Sequence, residues 1–118
     1  LISHHSLLSY YNFSNITRKV IGSTAALLMI KKDVFIKCDY FNENYLTCFE
    51  DVELNLKCEI MGLKNFMSGK SVAYHYESQT RNDNNSKIER IQDDYVRFLQ
   101  PYILKQYNKI SDLILNIE

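Results

Sequence analysis

Two adjacent acids, Glu50 and Asp51, with Glu53 two positions on, are the most reactive grouping in the sequence. A carboxylate facing a cleft can act as a general base, taking the proton of a hydroxyl within hydrogen-bond reach. The same acids suit a helix start, where negative charge offsets the positive end of the helix dipole, and on composition alone that is the commoner role. Asp51-Val52-Glu53 spells Asp-x-Glu, but in a helix these side chains diverge by about 200° and do not chelate one metal easily. His75, in Ala-Tyr-His-Tyr-Glu-Ser, could coordinate a metal through a neutral ring nitrogen. A lone histidine at a strand end is more often a hydrogen-bonded structural residue. Arg81 could bind a phosphate bidentately, although one arginine in a polar loop is usually soluble surface. Glu77 reads as a solvated charge. His4 and His5 point to opposite faces of an extended chain, which weakens them as a joint metal site. Tyr40, Phe41, Tyr45 and Phe49 could line a sugar site, because ring faces stack on sugars; the other aromatic residues read mostly as core.

The elements around these residues must position them. Residues 1–19 lack clear periodicity and read as a loop with one short strand. Residues 20–30 are apolar with small residues, a pattern that does not by itself separate strand from buried helix. Their brevity, and the Lys31-Lys32-Asp33 that follows, favour a buried strand ending in a short helix over 33–37, with Asp33 near its cap. An aromatic-rich loop over 41–49 precedes a helix starting near Glu50. Phe49, Val52, Leu56 and Ile60 form one apolar stripe on that helix. Glu53 and Lys57 pair at i, i+4, and Gly62 stops the helix. Residues 63–67 predict a short strand, Ser68-Gly69-Lys70 a turn, and 72–76 a second strand with Val72, Tyr74 and Tyr76 on one face. Residues 79–86 are a polar loop. Ser86 then caps a helix, with Glu89 completing a capping box. Pro101 must kink or split that helix. Residues 111–118 form an amphipathic tail.

Composition sets the outer bounds. The 118 residues suffice for one domain. Hydrophobic residues at 46% and charged residues at 24% are an ordinary globular balance, which excludes wholesale disorder. Fourteen Lys and Arg cancel fourteen Asp and Glu, so the chain lacks the basic surplus of a general nucleic-acid binder. Membrane attachment by charge alone is disfavoured on the same ground. No apolar run approaches the ~20 residues of a membrane span. There is no basic, apolar leader pattern, so the cytoplasm is the expected compartment. The three cysteines, Cys38, Cys48 and Cys58, are odd in number and widely spaced. They read as reduced, mostly buried thiols and not as a disulfide framework or zinc site. The sequons at Asn12 and Asn15 then carry no meaning. The chain opens on Leu1, and the expectation is a piece of something longer.

Five segments occur in the order found in one enzyme family. The stretch from Gly22 through Ser-Thr-Ala-Ala-Leu-Leu-Met-Ile-Lys-Lys-Asp-Val-Phe resembles the apolar strand and short helix of family 2 glycosyltransferases of the GT-A fold. Tyr40-Phe41-Asn42-Glu43-Asn44 is similar to their Gly-Gly-Phe-Asp-Glu loop. Phe49-Glu50-Asp51-Val52-Glu53-Leu54 resembles their Glu-Asp-hydrophobic-acid-Leu segment. Residues 62–76 resemble their Gly-turn-strand-strand unit, ending in Tyr74-His75. Glu77-Ser78-Gln79-Thr80-Arg81 resembles the Glu-Ser-x-Ser-Arg of relatives that build bacterial surface polysaccharides.

The resemblance implies roles residue by residue. Asp51 matches the general base that activates the acceptor hydroxyl in inverting transfer, and Glu50 its acidic neighbour on the acceptor side. His75 matches a histidine that joins a divalent metal, Mn or Mg, holding the donor diphosphate, which Arg81 contacts. The metal would neutralise charge on the departing nucleoside diphosphate. Three departures stand out. Asp39-Tyr40 replaces the family's Gly-Gly, so the turn before Phe41 must differ or be strained. Asn42 replaces an acid, and Lys57 an arginine. The family's nucleotide-binding half and its Asp-x-Asp are absent from these residues.

The expected fold is therefore α/β, an incomplete GT-A-like mixed sheet with flanking helices and a C-terminal helical tail. Residues 1–86 are the C-terminal half of the glycosyltransferase domain, and 87–118 the tail. The expected function is part of a metal-dependent inverting glycosyltransferase, cytoplasmic or at the inner face of the membrane. It would move sugar from a nucleotide-sugar to a glycan or lipid-linked acceptor in cell-surface polysaccharide synthesis. By this reading the parent is an enzyme and the segment alone is inactive. A non-catalytic remnant that self-associates is the alternative. A small metal hydrolase using His4, His5, Asp51 and His75 is a third.

Overall fold

The structure, a computed structural model, describes residues 2–3, 16–76 and 84–115. It is mixed α/β, as expected, with very small sheets. Strand β1 (Ile2–Ser3) pairs in parallel with β3 (Gly22–Ser23), Ile2 opposite Gly22. Strand β2 (Arg18–Val20) pairs antiparallel with β4 (Asn65–Met67), Val20 opposite Asn65.

The single strand expected over 20–30 is not what forms. After β3 the chain makes a 3₁₀ turn, Ala25–Leu27, and then runs extended into helix α1 (Lys32–Lys37). Two side chains compete with the sheet ladder for the turn's backbone. The Thr24 hydroxyl accepts from the Ala26 N–H at 3.3 Å, and Asp51 accepts from the Ala25 N–H at 2.9 Å. Asp33 lies in the first turn of α1, whose cap position is Lys31.

Helix α2 (Glu50–Ile60) starts and stops where the sequence places it. Gly62 is left-handed, φ 83°. The Leu63 N–H reaches the Cys58 carbonyl at 3.0 Å, and the Gly62 N–H reaches Glu59 at 2.9 Å. This paired closure of a helix end requires a residue tolerant of positive φ. The predicted stripe understates the burial of α2. Glu53, Leu54, Asn55, Leu56, Cys58 and Glu59 are all buried, so the helix is enclosed on most of its circumference. Polar residues occupy part of that buried surface, and they hide the apolar period from a pattern search. The core groups Leu54, Cys58 and Cys38 with Leu28, Ile30, Val34, Phe35 and Phe41.

Residues 72–76 are not a strand: they carry no regular secondary structure and join no ladder among the described residues. Alternation specifies faces, but a strand also needs a neighbour to take its N–H and C=O groups. Helix α3 (Asn84–Asp94) begins before Ser86, so the predicted cap lies inside the helix. It continues as a π-helical turn, Tyr95–Leu99, then α4 (Gln100–Lys105) and α5 (Tyr107–Leu115). Pro101 does interrupt the regular helix. It falls in the first turn of α4, directly after the π turn, where its missing N–H costs little. No helix of the described residues is long and apolar enough to cross a membrane.

Candidate functional site

The candidate site is built around the first turn of α2. Phe49 caps the helix in a left-handed conformation, φ 80°. Glu50 and Asp51 follow, both half-buried. Asp51 Oδ2 accepts from the Ala25 N–H at 2.9 Å, and Oδ1 accepts from the Val52 N–H at 2.8 Å. The carboxylate is thereby held in one orientation against residues 24–25.

Two side-chain amides, of buried Asn55 and half-buried Asn65, secure that arrangement. Asn55 Nδ2 donates to the Ser23 carbonyl at 2.7 Å and to the Asp51 carbonyl at 2.8 Å. Asn65 Nδ2 donates to the Ile21 carbonyl at 2.8 Å and the Asn55 carbonyl at 3.2 Å, with Glu59 Oε1 at 3.3 Å. Residues 21–25 are thus fastened to α2 by side-chain amides, not by a ladder. Gly22 permits the approach, because a Cβ there would stand 2.5 Å from Asn55 Cβ.

Glu53 points away from Asp51, as the helical divergence of Asp-x-Glu requires. It is 5% exposed. Its Oε2 accepts from Asn42 Nδ2 at 3.1 Å, and Lys57 Nζ lies 3.4 Å from Oε1, the predicted i, i+4 pair. Lys57 also donates to the Cys38 carbonyl at 3.1 Å. The Tyr45 hydroxyl is buried near Glu53 but outside hydrogen-bond geometry. Burial first, then the Glu53 charge, hold its pKa far above the ordinary tyrosine value. Burial and then Glu53 also push Tyr102 up to about 12. Asn42 and Lys57 lie on the rim of an open hollow of about 600 Å³, formed by residues 39–44 and Lys57. Asp39 and Tyr40 both have positive φ, 60° and 61°. The turn before Phe41 is therefore strained, as the missing glycines predict, with two non-glycine residues in a left-handed backbone.

Asp94 was not legible as a site residue. It is fully buried, and its carboxylate accepts from three consecutive backbone N–H groups: Leu46 at 3.0 Å, Thr47 at 2.7 Å and Cys48 at 3.2 Å. Burial raises its pKa, but the three N–H donors outweigh burial and leave it below the ordinary value of 3.8. One signal for it exists: Asp94 sits three residues after Ile91 and four before Phe98, a charge at helical spacing from two apolar residues.

The other predicted residues are not gathered here. His75 is exposed in the irregular 72–76 segment. Arg81, Glu77, His4 and His5 lie outside the described residues. Among the described residues no three His, Cys, Asp or Glu side chains come together as a metal site, and one imidazole is a single ligand. None of the three cysteines is in a disulfide. Cys38 and Cys58 have Sγ atoms 3.8 Å apart, and burial, then the neighbouring Cys38, pushes Cys58 up to about 12.

Known proteins offer partial matches. The chain is 31% identical over 65 residues to the O-antigen biosynthesis protein RfbC of Myxococcus xanthus, covering 55% of this chain and 5% of that protein. It is 35% identical over 68 residues to the uncharacterized protein y4gI of Sinorhizobium fredii, 57% of this chain and 8% of that one. The chain therefore spans under a tenth of either relative. No protein-family profile matches it, and no solved structure matches.

Proposed function

We propose that this chain is the acceptor-side part of a glycosyltransferase of surface-polysaccharide synthesis, with Asp51 as proton acceptor. The observation that carries this reading is the Asp51 carboxylate, half-buried and aimed by the Ala25 N–H at the start of α2. The partial similarity to an O-antigen biosynthesis protein supports the substrate class. A carboxylate offers about four lone-pair sites; two N–H donors use two of them and leave room for an acceptor hydroxyl. In the proposed step Asp51 takes the hydroxyl proton as that oxygen attacks the anomeric carbon of the donor sugar. The bond to the nucleoside diphosphate breaks, and a single displacement inverts the anomeric centre. Glu50 stands on the acceptor side, and Arg81 is assigned to the departing diphosphate.

Asp51→Asn keeps size and can keep one of the two N–H contacts, but removes the proton acceptor. It should lower sugar transfer by the polypeptide carrying this segment by about 10²–10⁴-fold. Glu53 is unsuitable as a control because it is a buried hub. Asp33→Asn, an exposed acid in the first turn of α1, is the better one. Equal effects of Asp51→Asn and Asp33→Asn on turnover would sink the assignment.

A second reading, a self-associating remnant, is favoured by one observation. Val72 and Tyr74 are 85% and 90% exposed in the 72–76 segment, beside similarly exposed Tyr76. Exposed apolar groups of this kind drive association. It predicts a dimer by light scattering at tens of micromolar that Val72→Lys/Tyr74→Lys converts to monomer. A monomeric wild-type chain would refute it.

A further inference from the structure

The strongest unassigned feature is the full burial of Asp94. It lies at the junction of α3 and the π turn, and all its partners belong to a loop more than forty residues earlier. Leu46, Thr47 and Cys48 present their N–H groups to one carboxylate, at 3.0, 2.7 and 3.2 Å. Three consecutive donors on one anion fix a loop's path, because each bond constrains a different peptide plane. The next residue, Phe49, is a non-glycine residue at φ 80°. Such a conformation persists only where its surroundings over-determine it. The same helical segment supplies part of that constraint. The Phe49 ring meets Tyr95 edge-on at 6.2 Å, and Tyr45 meets Phe98 at 5.6 Å. Glu50 and Asp51 follow immediately.

We infer that Asp94 is a positioning residue for the Glu50–Asp51 turn, so that the C-terminal helix is a working part of the site. Asp94 touches no reacting group. It acts through residues 46–49, setting where α2 begins and hence where the Asp51 carboxylate meets the Ala25 N–H. The functional meaning of this latch rests on the reading of Asp51 given above; the latch itself rests on the geometry of the loop.

The test uses the full 118-residue chain labelled with ¹⁵N and ¹³C. In the wild type, a scalar correlation across the hydrogen bond should join the Thr47 amide nitrogen to the Asp94 carboxylate carbon, and its absence overturns the latch. In Asp94→Asn, amide exchange at Leu46, Thr47 and Cys48 should quicken about 10- to 100-fold, as for loss of hydrogen bonds to a charged group. The Ala25 amide should quicken with them, while the Leu63 amide at the far end of α2 stays unchanged. A merely structural aspartate would move all five amides together, and an aspartate holding only its own loop would leave Ala25 alone; either pattern overturns the inference. Asp94→Glu retains the charge with one more methylene. It should show the same pattern at smaller amplitude, and it replaces Asp94→Asn if that variant does not fold. Failure here leaves the Asp51 assignment standing. Equal transfer by the Asp51→Asn and Asp33→Asn variants removes that assignment and leaves the latch.

Discussion

Gly22→Ala is a one-methyl change aimed at the closest approach in the fold. The new Cβ would stand 2.5 Å from Asn55 Cβ, 2.7 Å from its Cγ and 3.0 Å from its Nδ2. Carbon atoms in good contact sit at about 3.5–4.0 Å, so roughly 1 Å of movement is forced. Asn55 has little room to give. It is 3% exposed, and its amide is held by the Ser23 and Asp51 carbonyls. Overpacking costs about 1–3 kcal/mol. Losing one or two neutral hydrogen bonds adds about 0.5–1.5 kcal/mol each. The expected loss is about 2–5 kcal/mol, or roughly 8–20 °C in Tm for a chain of this length. Urea and thermal unfolding followed by circular dichroism would measure it. Backgrounds at position 55 identify the cause. Asn55→Ala retains the Cβ at 2.5 Å, so adding Gly22→Ala should still cost about 1–3 kcal/mol there. Asn55→Gly removes that atom, at about 1 kcal/mol of helix propensity, and in that background Gly22→Ala should cost close to nothing. The same cost in both backgrounds, or a loss below about 0.5 kcal/mol in the wild type, would refute the reasoning.

Two further outcomes follow from the backbone and from Asp94. Asp39→Gly should stabilise the chain by about 0.5–1 kcal/mol, since relief of a left-handed backbone exceeds the added freedom of the unfolded chain; a lower urea midpoint would contradict this. Asp94 has a folded pKa depressed below its unfolded value, so its contribution is fully present above pH 3.8 and is lost as pH falls through the folded value. The Tm gap between wild type and Asp94→Asn should therefore stay constant from pH 7 to 5 and narrow below pH 4; a gap that widens on acidification would show that the sign is wrong.

Local rules made part of the fold legible. The bounds of α2 follow from an acidic first turn and a glycine stop, and the Glu53–Lys57 pair follows from helical spacing. These depend on neighbours within four residues. The 20–30 segment was misread because its conformation depends on groups far along the chain. Asp51 takes the Ala25 N–H, and Asn55 takes the Ser23 carbonyl, each across more than twenty-five residues. No period in the local sequence records such bonds. Residues 72–76 failed in the opposite sense. Their alternation is present, but a strand is a property of a pair, and they join no sheet ladder among the described residues.

The site shows the same division. Glu50 and Asp51 were visible because adjacent acids at a helix start form a short motif. Glu53 was legible as a neighbour of that pair and as the i, i+4 partner of Lys57, but not as a buried group, and Asp94 was not singled out. Both are buried, with their oxygens matched to N–H donors or a lysine. A buried charge is tolerated only when its hydrogen bonds are made, and removing one partner strands the others. Apolar contacts around Leu54 and Cys58 could accept many substitutions of similar volume. The carboxylates and amides accept few, since each must meet particular donors at particular distances. The turn that presents Asp51 is therefore specified less by the apolar core than by three polar side chains: Asn55, Asn65 and Asp94. Substituting these should move the candidate site before it unfolds the chain.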